Sequence, residues 1–238
     1  MSIKNNIILF FLIALFFNVS AGAASYDIFG TGTNTHGRLT FPDGIQGKVV
    51  SVAAGRYHVV ALLNDGSIRC WGAGTTKTNT FPEFGQAAPP SIGQEVTQVA
   101  AGSDHCLALL ADGTVIAWGA GASADQGSND DRHKGQSIVP AALQNSATAK
   151  VKYIAAGPQN SFAIQEDGTV VVWGSDGYDV TSPPEGVTNI KEISMTRTHV
   201  VALLENGYPI CWGEDANGIT HVPEVGSAEE GAPFLSVS

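Results

Sequence analysis

Charge is scarce in this chain. Asp, Glu, Lys and Arg make up 14% of its 238 residues, with only 12 basic side chains against 22 acidic ones. The net charge of −10 leaves no basic excess to neutralise phosphates, which argues against a nucleic-acid partner. Cysteine is sparse too: Cys70, Cys106 and Cys211 are the only three, with no Cys-x-x-Cys spacing of the kind that builds zinc sites. No helical apolar period runs through the chain. Catalytic signatures are also missing: there is no Gly-x-Ser-x-Gly elbow, His-Glu-x-x-His helix or phosphate-cradling glycine loop. Acidic pairs such as Glu166-Asp167 and Glu229-Glu230 are adjacent, so on a strand they point to opposite faces. What the chain does have is 43% hydrophobic residues and 28 glycines, the makeup of a packed, turn-rich β-protein.

The N-terminus has the parts of a secretory signal peptide over residues 1–24. Lys4 precedes an apolar run from Ile7 to Phe17, and small residues follow at Ser20 to Ala24. The run is too short to span a bilayer, so a cleaved leader and no membrane attachment afterwards are expected. Residues 25–238 are then one domain in a periplasmic or extracellular compartment. No Asn-x-Ser/Thr acceptor follows the leader, which leaves bacterial periplasm and eukaryotic secretion both open.

The domain is organised by a 24-residue block that occurs four times, at Val49–Gly72, Val96–Gly119, Val151–Gly174 and Ile190–Gly213. His58, His105, Asn160 and His199 stand at one position of the block. Asp65-Gly66, Asp112-Gly113, Asp167-Gly168 and Asn206-Gly207 stand at a second, and Trp71, Trp118, Trp173 and Trp212 at a third. All length variation falls between blocks, so each block is one supersecondary unit and the connectors are loops. Apolar runs such as Val59–Leu63 flank each Asp-Gly or Asn-Gly pair, which predicts a hairpin whose turn consists of those two residues. The runs carry no polar alternation and predict strands covered on both faces. A further short strand precedes each hairpin, and its Ala-Ala-Gly ending lets another backbone approach. Small strands at regular spacing, each unit ending in Trp-Gly, predict a β-propeller.

The pattern V-x-x-V-A-A-G-x-x-H-x-x-A-L followed by D-G-x-x-x-x-W-G resembles the repeat of the regulator of chromosome condensation family over nearly all of residues 25–238. The resemblance implies an all-β propeller, usually of seven blades. It does not select a function, because this fold serves nucleotide exchange, chromatin binding and enzyme inhibition in different relatives. Four blocks and two fragments fall short of that ring. Tyr26–Gly30 reads as the tail of a block, and Phe234–Ser238 as the opening strand of another. A truncated product, an incomplete sequence or an open arc that needs a partner is expected, with edges at Phe29 and Val237 that invite self-association.

The histidine position reads as a half-buried strut tying its blade to a neighbouring backbone, since equivalent positions on successive blades are rotated apart and cannot converge on one metal ion. The four tryptophans read as packing, and the three cysteines as buried strand residues, with a pair involving Cys106 as the alternative. The connector from Gly121 to Gln136 is the candidate contact surface, because long loops on a rigid scaffold carry function. It concentrates Asp125, Asp130, Asp131, Arg132 and His133, whose spacing matches no calcium loop. The functional expectation is a secreted, non-catalytic scaffold that binds a protein partner through its loops, without a cofactor. The alternatives are a secreted enzyme inhibitor and a nucleotide exchange factor for a small GTPase.

Overall fold

The computed structural model describes residues 6–9 (as backbone), 25–122, 131–215, 218 and 220–221. Strand β1 (Asn6–Leu9), within the expected leader, runs parallel to β2 (Asp27–Gly30). The four blocks form four three-stranded antiparallel sheets, here blades I to IV. Blade I is β3 (Val49–Ala54), β4 (His58–Leu63) and β5 (Ile68–Gly72). A small hairpin, β6 (Lys77–Thr80) and β7 (Glu83–Phe84), fills the first connector. Blade II is β8 (Val96–Ala101), β9 (His105–Leu110) and β10 (Val115–Gly119). Blade III is β11 (Val151–Ala156), β12 (Asn160–Gln165) and β13 (Val170–Gly174). Blade IV is β14 (Ile190–Met195), β15 (His199–Leu204) and β16 (Pro209–Gly213). Among the described residues no helix is long and apolar enough to cross a membrane.

The blades stack face to face in chain order. One apolar cluster joins Val60 and Leu62 of blade I to Val99, Cys106 and Trp118 of blade II. A second joins Leu107 and Leu109 to Ile154, Ala163 and Trp173, and a third joins Phe162 and Ile164 to Ile193, Val200 and Trp212. Ile28 and Ile45 cover the remaining face of blade I. Among the described residues no such cluster joins blade IV to blade I, as in an open propeller. The middle strands of blades I and II are buried along their whole length, as uninterrupted apolar runs between two sheets require. The C-terminal fragment Phe234–Ser238, with the expected edge at Val237, lies outside the described residues; Phe29 is half exposed.

The hairpins form where expected, but the turn is one residue longer than an Asp-Gly pair. Leu63 N–H donates to Ser67 O (2.8 Å) and Gly66 N–H to Leu63 O (3.0 Å), enclosing Asn64, Asp65 and Gly66. Only the glycine takes a positive φ, +76° at Gly66. The aspartate instead accepts the backbone N–H two residues on, from Ser67 to Asp65 (2.9 Å), Thr114 to Asp112 (3.0 Å) and Thr169 to Asp167 (2.9 Å). Asn206 does the same for Tyr208 (3.1 Å). Asp and Asn share the position because both present an acceptor there.

In blades I to III the histidine position is more deeply buried than a half-buried strut, and in blades I and II it reaches a side chain of the next blade instead of a backbone. His58 Nε2 lies 3.1 Å from Cys106 Sγ in the next blade, and His105 Nε2 lies 3.0 Å from Ser161 Oγ. Cys106 directs its thiol hydrogen to Gln86 O (3.6 Å) and Ser161 its hydroxyl to Gln136 O (2.8 Å). A carbonyl can only accept, so each imidazole carries its proton on Nε2 and donates across the blade boundary. Blade IV has Val200 where a partner for Asn160 would stand, and Asn160 donates to Ser175 O of its own blade. All three cysteines are free thiols; Cys106 is buried, while Cys70 and Cys211 are half buried.

Candidate functional site

Strand direction alternates within each blade, so the turns joining first to second strands gather at one end of the arc, with the starts of the connectors. The Asp-Gly hairpins gather at the other end. At the first end the four blocks differ most in chemistry: Arg56-Tyr57, Ser103-Asp104, Pro158-Gln159 and Arg197-Thr198 occupy equivalent places. Backbone bonds join three of these turns into a rim, Arg56 N–H to Ser103 O (3.0 Å) and Ser103 N–H to Pro158 O (3.2 Å). Proline has no N–H to continue the series.

The connectors descend onto this rim and are fixed by the tryptophans. Trp71 donates its indole N–H to Arg38 O, Trp118 to Gln86 O, Trp173 to Gln136 O and Trp212 to Val180 O, all at 2.8–3.0 Å. Gln86 also clamps its own loop, accepting Phe84 N–H (2.9 Å) and donating to Pro82 O (2.7 Å). Gln136 repeats this with Lys134 N–H (2.8 Å) and Arg132 O (2.6 Å). A side chain at Gly74 or Gly121 would collide with these amides. The shared Trp-Gly-Ala-Gly of blades I and II and the Gly-Gln pairs at 85–86 and 135–136 were therefore a readable signal of connector geometry that block periodicity alone did not expose.

An aromatic and cationic series runs across the face. His36 meets Tyr57 edge-on at 4.9 Å, and Tyr57 meets Phe81 at 5.6 Å. Arg38 lies over Tyr57 at 5.5 Å, and Phe81 is flanked by Arg132 at 4.4 Å and Arg56 at 5.8 Å. Asp104, almost wholly buried, is 3.8 Å from Arg56. His36 and Tyr178 both hold left-handed backbone, φ 61° and 69°, at the connector positions two residues before the carbonyls that receive Trp71 and Trp212. Retained strain of that kind is common where side chains are held out for contact.

Of the residues expected at a contact surface, Asp131 and Arg132 lie on this face. Asp131 pairs with Lys134 at 2.5 Å and with Arg197 at 3.8 Å, while Gln159 donates to its main-chain oxygen at 2.7 Å. The Lys134 ammonium first, and then Arg197 and Arg132, hold the Asp131 carboxyl below the usual carboxylate range. A cleft of about 500 Å³ opens beside it, lined by Asp131, Lys134, Gln159, Tyr178 and Arg197 among others. His133 turns inward: its Nδ1 accepts Gly121 N–H (2.9 Å) and its ring packs edge-on against buried Phe84. Asp125 and Asp130 lie outside the described residues. Phe81, Arg56, Tyr57 and Arg197 were not singled out from sequence, although Arg56, Tyr57 and Arg197 stand where otherwise matching blocks diverge. A larger groove, about 810 Å³, lies at the hairpin end between blades II and III, beside Asp112, Lys150, Lys152 and Glu166. Among the described residues no group of three or more His, Cys, Asp or Glu is arranged to hold a metal ion.

Residues 49–76 and 96–123 match the model of the regulator of chromosome condensation (RCC1) repeat. These two segments carry the repeat. The matched segments are blades I and II. Blades III and IV keep the same strands while departing at Asn160 and at Thr196, which replaces the glycine that precedes the histidine. Three solved structures share the fold. Prp20p from Saccharomyces cerevisiae has a TM-score of 0.56 at 22% identity, over 76% of this chain and 52% of its own, in a structure reported with its binding properties to Gsp1p and histones. Human WBSCR16 has a TM-score of 0.57 at 25% identity over 81% and 58%. The ectodomain of the Physcomitrella patens receptor kinase CR4 has a TM-score of 0.56 at 18% identity over 81% and 48%. The chain thus spans about half the length of these propellers. No curated protein sequence matches it.

Proposed function

We propose that the protein is a secreted, non-catalytic RCC1-type scaffold that binds a protein partner on its rim face. The observation that carries this reading is the half-exposed ring of Phe81, held between Arg56 and Arg132 and abutted by Tyr57, on the same face as the Asp131 loop. Aromatic and arginine side chains fixed by a rigid frame are the residue types that dominate protein interfaces. The binding of Gsp1p and histones by Prp20p supports a propeller of this type serving protein partners. Catalysis is disfavoured by the state of the buried nucleophiles. Burial pushes the Cys70 thiol up to about 12 and the Cys106 thiol well above its ordinary range, so neither is a thiolate at neutral pH. The leader-like N-terminus supports export.

Photo-crosslinking from a probe at residue 81, in the organism's own extracellular medium, tests the reading. A discrete crosslinked protein that is absent when the probe sits at exposed Arg69 on strand β5 is expected; identical crosslinks from both positions would remove the face from consideration.

A further inference from the structure

The chain has five arginines, and Arg38, Arg56, Arg132 and Arg197 all lie on the rim face, together with Lys134, in a protein whose net charge is −10. The carboxylates among them that take part in ion pairs are Asp104, held against Arg56, and Asp131, held against Lys134 and Arg197. The rim face thus gathers four of the five arginines, with the carboxylates of Asp131 and Asp176 lining the same cleft as Arg197. At physiological ionic strength charges are screened over about 8 Å, so a short segment docked on the face responds to the arginines, whereas a long polyanion also meets the acidic remainder.

Building on the protein-binding reading above, we propose that the partner presents a short acidic segment. Its carboxylates pair with Arg56 and Arg197, and an adjacent apolar side chain lies against Phe81. A guanidinium placed over a ring keeps its N–H edge pointing outward, and that planar fork matches a carboxylate with two parallel hydrogen bonds. Asp104 sets the direction of Arg56 from below: its carboxylate is buried in the rim while the arginine side chain is 41% exposed. Arg197 is 64% exposed and stands at the equivalent turn of blade IV, so the two arginines bracket the arc. Phe81, 41% exposed and flanked by Arg56 and Arg132, offers the apolar contact. The surface carries the three elements that recognise such a segment: fixed arginine forks, an aromatic platform and a rim that does not need to rearrange.

The test is fluorescence anisotropy on the full chain with a labelled peptide alternating Glu and Leu, against its Lys-Leu counterpart, a single-stranded oligonucleotide and anionic lipid vesicles. The Glu-Leu peptide is expected to bind, to weaken as salt is raised, and to lose about tenfold in affinity with Arg56→Gln or Phe81→Leu, while Arg69→Gln leaves it unchanged. Circular dichroism of each variant separates loss of binding from loss of fold. Failure of the Glu-Leu peptide to bind, an equal loss from Arg69→Gln, or tighter binding of the oligonucleotide or vesicles overturns the proposal. If crosslinks from residue 81 persist while the acidic peptide does not bind, the face still binds protein but the partner's chemistry is not acidic. If both fail, the protein-binding reading falls with it.

Discussion

The imidazole of His58 fills the space in which a side chain on Gly55 would stand: a Cβ there would overlap the ring and lie 2.5 Å from the carbonyl oxygen of Gly102. Gly102 stands in the same relation to His105 and to the carbonyl of Gly157. The glycine ending the first strand is thus there for the histidine three residues on. Blade IV supplies the natural control. Thr196 occupies the glycine position, and His199 is half exposed, with its Nδ1 2.9 Å from Thr196 Oγ1.

This relationship predicts that Gly102→Ala destabilises the domain by about 2–3 kcal/mol through overpacking, read as a lower urea midpoint with unchanged slope. The same substitution in a His105→Asn background, which copies blade III, is expected to cost clearly less, because the ring that the methyl group would strike has gone. Equal costs in the two backgrounds would show that the carbonyl of Gly157, not the histidine, sets the requirement.

The two buried histidines also predict how stability depends on pH. Burial holds His58 down to about 4, and burial, followed by the charge of His58, holds His105 down to about 3, against 6.5 for an exposed imidazole. Between those values the unfolded chain binds protons that the folded chain does not, so stability is complete above about pH 6.5 and is lost on acidification towards pH 4 and below. Each histidine contributes about 2 kcal/mol of loss by pH 5 on this account. Urea titrations at pH 7 and pH 5 measure it, and the double variant His58→Asn, His105→Asn is expected to flatten the difference.

Much of this fold was legible because a repeat states its geometry several times. The four blocks, their hairpins and the tryptophan at the end of each third strand lie where the pattern put them, and Asp65, Asp112, Asp167 and Asn206 share one turn role. The contact face was less legible, and for a physical reason. Phe81 belongs to a connector, and nothing in its local sequence says that Arg56 of the preceding turn and Arg132 of the following connector will flank it. Contacts between connectors depend on the rotation from blade to blade, which sequence periodicity does not encode. His133 illustrates the converse: its charged neighbours suggest an exposed tip, yet a bond from Gly121 N–H draws it inward.

The thiols give a chemical readout of the same packing. With Cys106 buried and its ionisation suppressed, and Cys70 raised to about 12, labelling by a neutral-pH thiol reagent is expected to leave Cys106 unmodified in the folded protein. All three thiols should react in denaturant. Rapid labelling of Cys106 under native conditions would show that blades I and II separate readily.

Gln98 provides the sharpest test of how the blades are joined. Its side-chain amide crosses from blade II to the first strand of blade III, donating to Ile154 O (3.0 Å) and accepting Ile154 N–H (2.9 Å), so it stands in for a missing strand-to-strand pair. Both groups are buried, and water has no access to replace the amide. Gln98→Leu preserves much of the volume but strands a donor and an acceptor, at about 1–3 kcal/mol each, and a loss of about 2–6 kcal/mol is expected. Tyr153 stands at the equivalent place one blade on, and its hydroxyl bond to Ile193 O is longer, 3.4 Å. Tyr153→Phe should therefore cost about 1 kcal/mol or less. The ratio between the two variants, measured by urea unfolding, distinguishes bonded blade junctions from junctions held by apolar packing alone: similar small losses would mean that the clusters around Ile154 and Ile193 carry the join and that the amide is incidental.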